Sequence, residues 1–294
     1  MKIGIYGQFY HKHSEKYVQL ILDLLRKKEV DIYIEEDFLD LISLHEGIPD
    51  SFGSFQTFTQ LDASYDLFFS IGGDGTILKS VTLVRDLNIP IVGINTGRLG
   101  FLATLPKEKI SESISQILQG NYTLSHRALL HVSTMPENRD LQKWPYALNE
   151  IAVNRKNTTS MIKVDTQVNE EHLTSYWSDG LIVSTPTGST GYSLSCGGPV
   201  IEPGTHSISL TPIAPHNLNA RPFVISDEST VTLKVSGREK SYLISLDSRI
   251  ATLENNTEIT IKKAPFTIQL VQLHEDTFIK TLRKKLLWGE DKRN

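Results

Sequence analysis

The chain reads Leu67-Phe68-Phe69-Ser70-Ile71-Gly72-Gly73-Asp74-Gly75-Thr76 from residue 67 to residue 76, so that an apolar run passes directly into a glycine-rich turn. A short, nearly continuous apolar run is typical of a strand that is buried on both faces of a parallel sheet. Apolar residues then recur at helical spacing over residues 76–87. This stretch therefore predicts a buried strand, a turn and a helix in direct succession.

Short apolar segments alternate with amphipathic ones on both sides of this stretch. Residues 2–6 and 30–34 have the composition of strands, and residues 15–29 place apolar side chains on one helical stripe. Residues 90–94 predict a further strand. Strands that alternate with helices imply a parallel sheet with right-handed crossovers, so this part of the chain predicts a parallel α/β domain.

The hydrophobic period changes beyond about residue 121. Apolar residues then alternate at a spacing of two, as in residues 231–235 and 242–246, and turn signals separate these segments. Residues 136–145 are polar and bounded by prolines, which predicts a loop. A helical stripe returns only near the C-terminus, at Phe278, Leu282 and Leu286.

Two domains of different class follow from this change of period. We expect an α/β domain formed by residues 1–120 and 275–294, and an all-β domain formed by residues 121–274. The C-terminal helix is expected to return to the first domain.

Composition and charge exclude several classes of protein. The 294 residues include 34 acidic and 30 basic ones, a formal net charge of −4, which argues against a dedicated nucleic-acid-binding protein. Cys196 is the only cysteine, which excludes an internal disulfide and fits a reducing compartment. No apolar run approaches the roughly 18 residues of a membrane helix, and Gly4 comes too early for a signal peptide. We expect a cytoplasmic protein that binds neither nucleic acid nor membranes.

The turn at residues 72–76 has the composition of a phosphate-binding loop. Glycines allow a ligand close to the backbone, and the free N–H groups of a helix N-terminus face an anion. Asp74 is unusual there, because a carboxylate repels phosphates unless it accepts a proton or acts through a divalent cation. The alternative is that Asp74 only caps the helix. A site after a buried parallel strand favours a functional role.

Residues 179–199 form the segment richest in polar groups. Seven Ser and Thr side chains lie between Ser184 and Ser195, among glycines and a proline. Hydroxyl and backbone N–H groups suit an uncharged, hydroxyl-rich ligand such as a nucleoside. The alternative is a surface loop, although the apolar residues 181–183 predict a strand that leads into the segment.

Together these two segments resemble those of the bacterial NAD kinases, and the resemblance covers most of the chain. The matching stretches are residues 72–76, 93–102, 149–150, 179–199, 211–216, 247–249 and 278–288. Diacylglycerol-kinase-like lipid kinases and phosphofructokinases share the Gly-Gly-Asp-Gly-Thr turn, but not its combination with Asn149-Glu150 and residues 179–199. The resemblance implies a Rossmann-like α/β domain followed by a β-sandwich-like domain.

The resemblance also implies a reaction and a set of residues. ATP would phosphorylate the 2′-hydroxyl of the adenosine ribose of NAD, giving NADP, with Mg²⁺ bridging the ATP phosphates rather than bound by dedicated protein ligands. Asp74 would be the catalytic base. The residues implied in NAD binding are Asp74, Gly75, Asn149, Glu150, Asp179, Thr190, Gly191, Tyr192, Ser193, Leu194 and Ser195, with Ser160, Trp177 and Arg249 as further candidates. Those implied in ATP or phosphate binding are Gly72, Gly73, Thr76 and Asn95.

Two positions depart from the family pattern. Trp177 stands where a basic residue is frequent, and its ring can stack on a base or pack between domains. Arg249 stands where glutamine or asparagine is common, and it could reach a pyrophosphate or form a surface ion pair. The resemblance implies a homodimer or homotetramer. The rival functions are a lipid kinase that shares the glycine turn and a non-catalytic NAD(P) sensor.

Overall fold

The computed structural model describes residues 1–8, 15–44, 55–157 and 160–288. The chain divides into two compact units, one of Met1–His126 with Ile268–Asn294 and one of Arg127–Thr267. The division falls within two long strands, β7 (Thr123–Met135) and β18 (Glu258–Gln272). Residues 289–294 of the expected C-terminal segment lie outside the described residues.

The first unit is built on a parallel sheet. Its strands are β1 (Lys2–Gly7), β2 (Asp31–Glu35), β3 (Gln56–Phe58), β4 (Leu67–Gly72), β5 (Ile91–Asn95) and β6 (Leu105–Pro106). The sheet order is β18-β5-β4-β1-β2-β3, with β6 also paired to β5. Every residue of β4 and β5 is buried, which is why both strands are nearly continuous apolar runs in the sequence. The prediction of a parallel α/β domain is confirmed.

Helices connect these strands. They are α1 (Glu15–Arg26), α2 (Glu36–Ser43), α3 (Asp74–Val84), α4 (Ile110–Leu118) and α7 (Phe278–Leu286), with a 3₁₀ turn at Lys107–Lys109. Helix α3 starts two residues before its predicted start at residue 76 and ends three before its predicted end at residue 87. It stops there because Arg85 takes a positive φ of 53°. Helix α7 belongs to the first unit, as expected.

The second unit is a sandwich of antiparallel strands. Its strands are β8 (Tyr146–Ala147), β9 (Glu150–Asn154), β10 (Ile162–Val168), β11 (Glu171–Ser178), β12 (Gly180–Ser184), β13 (Ser207–Ile213), β14 (Phe223–Ser226), β15 (Val231–Gly237), β16 (Ser241–Leu246) and β17 (Arg249–Glu254). One sheet has the order β14-β13-β12-β9-β16-β17, and β11-β10-β15-β18 form the other. Alternate residues of both sheets enter one core that includes Val164, Val183 and Ile244.

Short helical turns interrupt this unit. They are α5 (Arg139–Gln142), α6 (Tyr192–Ser195) and a 3₁₀ turn at Thr187–Thr190. Helix α5 lies in the segment 136–145, for which the prediction of a loop is only partly right. Asn138 caps it, since its Oδ1 accepts hydrogen bonds from the N–H groups of Asp140 (3.0 Å) and Leu141 (3.2 Å).

No helix in the described ranges is long and apolar enough to cross a membrane.

Tyr242 offers a test of how this core is held. Its side chain is fully buried, and its hydroxyl has no hydrogen-bond partner among the described residues. Tyr242→Phe should therefore raise the free energy of unfolding by about 1 kcal/mol, because it removes a buried unsatisfied hydroxyl without opening a cavity. Tyr242→Ala should lower it by about 3–5 kcal/mol. Urea denaturation measures both; a loss of stability in Tyr242→Phe would contradict the assignment.

Candidate functional site

The glycine turn lies at the carboxyl end of β4, where ligands of parallel sheets bind. Gly73 is the N-cap of α3, and Asp74 is the first helical residue. Nothing lies within 4 Å of a Cβ built on Gly73 or Gly75, so the outer side of the turn is open. A helix N-terminus with an open outer side suits a phosphate.

Hydrogen bonds from neighbouring residues hold the backbone of the turn in place. The Gly72 carbonyl accepts a hydrogen bond from the Thr96 N–H (3.1 Å), and the buried Thr76 Oγ1 accepts one from the Gly73 N–H (3.2 Å). Asn95 is also buried, and its amide bonds the Gly97 N–H (2.8 Å) and the Arg98 carbonyl (2.6 Å). Gly72, Thr76 and Asn95, for which the family resemblance implies phosphate binding, thus make hydrogen bonds that hold the loops in shape.

The Asp74 carboxylate accepts hydrogen bonds from three consecutive backbone N–H groups. Its Oδ2 accepts from Phe101 (2.8 Å), and its Oδ1 accepts from Leu102 (2.9 Å) and Ala103 (3.0 Å). A carboxylate offers about four acceptor positions, so one position remains on Oδ2. The carboxylate therefore does not cap α3, which was the alternative to a functional role. It is fixed in position with one lone pair open.

Gly100 makes this contact possible. A Cβ at residue 100 would lie 1.9 Å from Asp74 Oδ1 and 2.5 Å from Asp74 Cγ, so any larger residue displaces the carboxylate. The same loop is supported by α7, because Lys285 donates from Nζ to the Leu99 carbonyl (2.7 Å). The sequence around Gly100 gives no sign of this role, since the approach depends on tertiary structure.

Asn149 and Glu150 lead into β9 in the second unit. Asn149 Oδ1 and Glu150 Oε2 are buried and have no hydrogen-bond partner among the described residues. Glu150 is only 8% exposed; burial, with a smaller contribution from the negative charge of Asp247, raises its pKa to about 7. Two buried acceptors without donors are the groups that hydroxyls of a ligand would satisfy.

Within residues 190–195, Gly191 and Tyr192 lie beside Glu150, whereas the side chains of Thr190 and Ser193 bond other residues. A Cβ on Gly191 would lie 3.0 Å from Glu150 Oε2, and the Tyr192 backbone donates a hydrogen bond to the Glu150 carboxylate. The side chain of Ser193 is buried and bonds Thr211 Oγ1 (2.8 Å). Thr190 Oγ1 donates to the Thr187 carbonyl (3.2 Å). The structure therefore brings Asn149, Glu150, Gly191 and Tyr192 together.

The hydroxyl-rich segment is not a surface loop. Ser184, Thr185, Thr187, Ser189 and Ser193 are all buried, and Leu194 is half-buried, whereas Tyr192 and Ser195 are exposed. The apolar lead-in forms β12, as predicted.

Asp179, just before β12, has a partner of its own. Its Oδ2 forms an ion pair with Arg155 (2.9 Å), and both side chains are partly exposed.

The three further candidates lie in different surroundings. Ser160 and Trp177 line one cavity of about 520 Å³ together with Lys163 and Arg238, and the Trp177 residue is 48% exposed. Arg249 instead donates to the carbonyls of Trp144 (2.5 Å) and Tyr146, so two of its donors are used within the protein.

No group of three or more His, Cys, Asp or Glu side chains in the part of the chain that the structure describes could hold a metal ion.

The parts found in the first unit define a class of protein. An open glycine turn after a parallel strand suits phosphates, and a fixed carboxylate with one free acceptor position suits a proton taken from an alcohol. These are the parts of a nucleotide-dependent phosphotransferase.

Comparison with known proteins makes this class specific. Residues 3–122 match the ATP-NAD kinase N-terminal domain and residues 148–273 match the ATP-NAD kinase C-terminal domain. An NAD kinase of Christiangramia forsetii is 61% identical and one of Flavobacterium psychrophilum is 50% identical, each over 294 residues and the full length of both chains. The chain belongs to the ATP-NAD kinase family, and it is a kinase.

Solved structures agree with this assignment. The NAD kinase of Archaeoglobus fulgidus, in complex with ATP, is 26% identical with a TM-score of 0.75, over 98% of this chain and 99% of that one. Yeast NADH kinase, complexed with NADH, shares the fold with a TM-score of 0.85 at 24% identity, over 99% of this chain and 88% of that one.

Gly100→Ala tests the placement of Asp74. The added Cβ should push the carboxylate off the Phe101, Leu102 and Ala103 N–H groups, so kinase turnover should fall by about 10²-fold while the chain stays folded. Gly204→Ala is the matched control, because a Cβ there meets open space. Steady-state kinetics with circular dichroism measure the effect; normal turnover in Gly100→Ala would show that the carboxylate position does not matter.

Glu150→Gln tests the burial of the second acceptor. A carboxyl whose pKa is raised from 4.5 to about 7 on folding stabilises the fold below pH 4.5 and loses that contribution as pH rises toward 7. Without ligand, the free energy of unfolding of Glu150→Gln should therefore exceed that of the parent increasingly as the pH rises from 4.5. The difference should reach about 3 kcal/mol at pH 8. Thermal unfolding across this pH range measures it, with the exposed Glu254→Gln as control. A difference independent of pH would refute the buried carboxyl.

Proposed function

We propose that this chain transfers the γ-phosphoryl group of ATP to the 2′-hydroxyl of the adenosine ribose of NAD, giving NADP and ADP. The observation that carries the proposal is the Asp74 carboxylate, fixed by three N–H groups with one acceptor position left beside an open glycine turn. Membership of the family supports the identity of the substrates, and the geometry of the site supports the proposed proton transfer.

Asp74 acts as the general base. Its Oδ2 accepts the proton of the 2′-hydroxyl while that oxygen forms a bond to the γ-phosphorus, and the bond from the γ-phosphorus to the bridging oxygen of ADP breaks. A ribose hydroxyl is a poor nucleophile at neutral pH, and general-base help of this kind is typically about 10²–10⁴-fold. Alignment and charge neutralisation supply the rest.

The glycine turn receives the phosphates of ATP. Gly73 and Gly75 present open backbone, and Gly72, Thr76 and Asn95 hold the loops around it in shape. Mg²⁺ would come with ATP as part of the substrate and would neutralise phosphate charge, and no group of three or more His, Cys, Asp or Glu among the described residues is available to hold it.

The second unit contributes adenosine-binding groups. Asn149 Oδ1 and Glu150 Oε2 are the buried acceptors that ribose hydroxyls and the adenine amine would satisfy, and Gly191 lets the ligand approach them. Asp179 and residues 190–195 would line the rest of the dinucleotide, with Gly75 beside it. Ser160 and Trp177 would contact it through their shared cavity, and Arg249 would use its remaining donors.

The two rival functions are not favoured. A lipid kinase has no use for Asn149-Glu150 and the hydroxyl-rich segment 184–195, and the family match extends over both of those regions. A sensor gains nothing from a carboxylate at a phosphate-binding turn, which repels the ligand unless it takes part in proton transfer.

A homodimer or homotetramer in the cytoplasm is the proposed state. Supporting it, the edge strand β14 exposes apolar side chains at Phe223 and Val224, with Leu218 nearby in sequence. Exposed apolar groups on a sheet edge are typical of contacts between copies.

Asp74→Asn tests the base directly. The amide cannot take the proton, so NADP formation from ATP and NAD should fall by about 10²–10⁴-fold, while NAD affinity measured by calorimetry stays within about threefold. Asp86→Asn, an exposed aspartate in the same unit, is the control. Turnover near that of the parent would remove Asp74 as the base; no NADP with any variant, the parent included, would refute the kinase assignment.

A further inference from the structure

Asp247 lies in the turn between β16 and β17 and holds the backbone that carries Asn149 and Glu150. Its Oδ2 accepts a hydrogen bond from the Leu148 N–H (2.9 Å), and its Oδ1 accepts from the N–H groups of Asn149 (2.7 Å) and Glu150 (3.2 Å). Its own N–H donates to the Glu150 carbonyl (2.9 Å). Four hydrogen bonds thus join one residue to a three-residue segment.

Asp247 extends the hydrogen-bond ladder between β16 and β9 as far as Glu150. Strands β16 and β9 pair antiparallel up to Leu246 and Ile151, and Asp247 follows directly on one strand while Glu150 precedes on the other. Asp247 itself has a φ of 52°, a conformation that aspartate tolerates better than most residues. The turn therefore bends the carboxylate back over the start of β9.

The opposite side of the same segment is held independently. Thr185 Oγ1 donates to the Leu148 carbonyl (2.6 Å), and the Thr185 N–H donates to the Asn149 carbonyl (2.9 Å). Among the described residues, the N–H groups of residues 148–150 are bound by Asp247 alone. Removing that carboxylate leaves up to three N–H groups without an acceptor.

We infer that Asp247 is a positioning residue for dinucleotide binding: its carboxylate fixes the Leu148–Glu150 backbone so that Asn149 Oδ1 and Glu150 Oε2 meet the adenosine half of the substrate. The inference rests on the proposed function for its assignment of Asn149 and Glu150. Asp247 itself need not touch the substrate, because its carboxylate acts through the three backbone N–H groups that it binds.

Asp247 also acts on Glu150 through its charge. The negative charge of Asp247 adds to burial in raising the pKa of Glu150, and the hydrogen bond from the Tyr192 backbone opposes both. Tyr192 is the other titratable neighbour, and the charge of Arg249 acts on Asp247. An ionised Glu150 is the better acceptor for a hydroxyl. NAD affinity should therefore rise with pH through about 7 in the parent protein.

Two substitutions separate the position of the carboxylate from its charge. Asp247→Asn loses the charge and turns an NH₂ group toward the N–H donors, so KM for NAD should rise about tenfold or more, with kcat changed much less. Its pH midpoint for NAD binding should also move below that of the parent, since the charge is gone. Asp247→Glu keeps the charge but displaces it, so KM should rise while the midpoint stays.

The matched control is Asp227→Asn. Asp227 is a buried aspartate of the same unit, bonded to Lys263 (2.6 Å) and His206 (3.2 Å) and not to residues 148–150. It should lose stability without a change in KM for NAD or in the pH midpoint. This separates a positioning effect from a general loss of packing.

Steady-state kinetics over pH 5.5–8.5 on the full-length chain, with thermal unfolding of each variant, decide the matter. A tenfold rise in KM with little change in kcat for Asp247→Asn, or for Asp247→Glu if the asparagine variant does not fold, supports the inference. An unchanged KM in a folded Asp247 variant overturns it. If Glu150→Gln itself leaves KM for NAD unchanged, the assignment of Glu150 to the adenosine fails instead, which distinguishes the two claims.

Discussion

Three consecutive backbone N–H groups converge on one carboxylate at two places in this chain. Asp74 binds residues 101–103 in the first unit, and Asp247 binds residues 148–150 in the second. Hydrogen bonds to an ionised acceptor are stronger than neutral ones, and three of them fix a carboxylate in both position and orientation. The two sets of hydrogen bonds differ in what they hold in place. At Asp74 the loop fixes the carboxylate, whereas at Asp247 the carboxylate fixes the loop.

These hydrogen bonds hold two irregular segments in place, one bound to the first residue of α3 and one directly before β9. Residues 95–103 and 148–149 have little regular structure, and neither stretch could hold its shape by ladder hydrogen bonds alone. A carboxylate that accepts hydrogen bonds from several N–H groups replaces those bonds. Glu150 then stays buried without a full set of donors, an arrangement that costs stability in the free protein and that a hydroxyl ligand relieves.

The order of elements around the glycine turn could be predicted from sequence, because β4 is buried on both faces and its apolar run is interrupted only by Ser70. The change to a period of two was likewise readable, since strands such as β15 and β16 bury alternate residues. Helices α2 and α4 and the short helix α5 were not predicted. The two sets of hydrogen bonds were not predictable either: Asp74 and its partners lie 27 to 29 residues apart, and Asp247 lies 97 to 99 residues from its own. Such contacts arise from strand register, which a single sequence does not reveal.

The contact between α7 and the loop that holds Asp74 bears on how the chain matures. Lys285 binds the Leu99 carbonyl, and its ammonium group lies 5.4 Å from the centre of the Phe101 ring, one of the residues that fix the carboxylate. On the ribosome, the N-terminal strands emerge and pair long before residue 285 is synthesised. The loop that binds the Asp74 carboxylate receives this support only after residue 285 has been synthesised, so a nascent or prematurely terminated chain without Lys285 would contain the glycine turn and lack this contact.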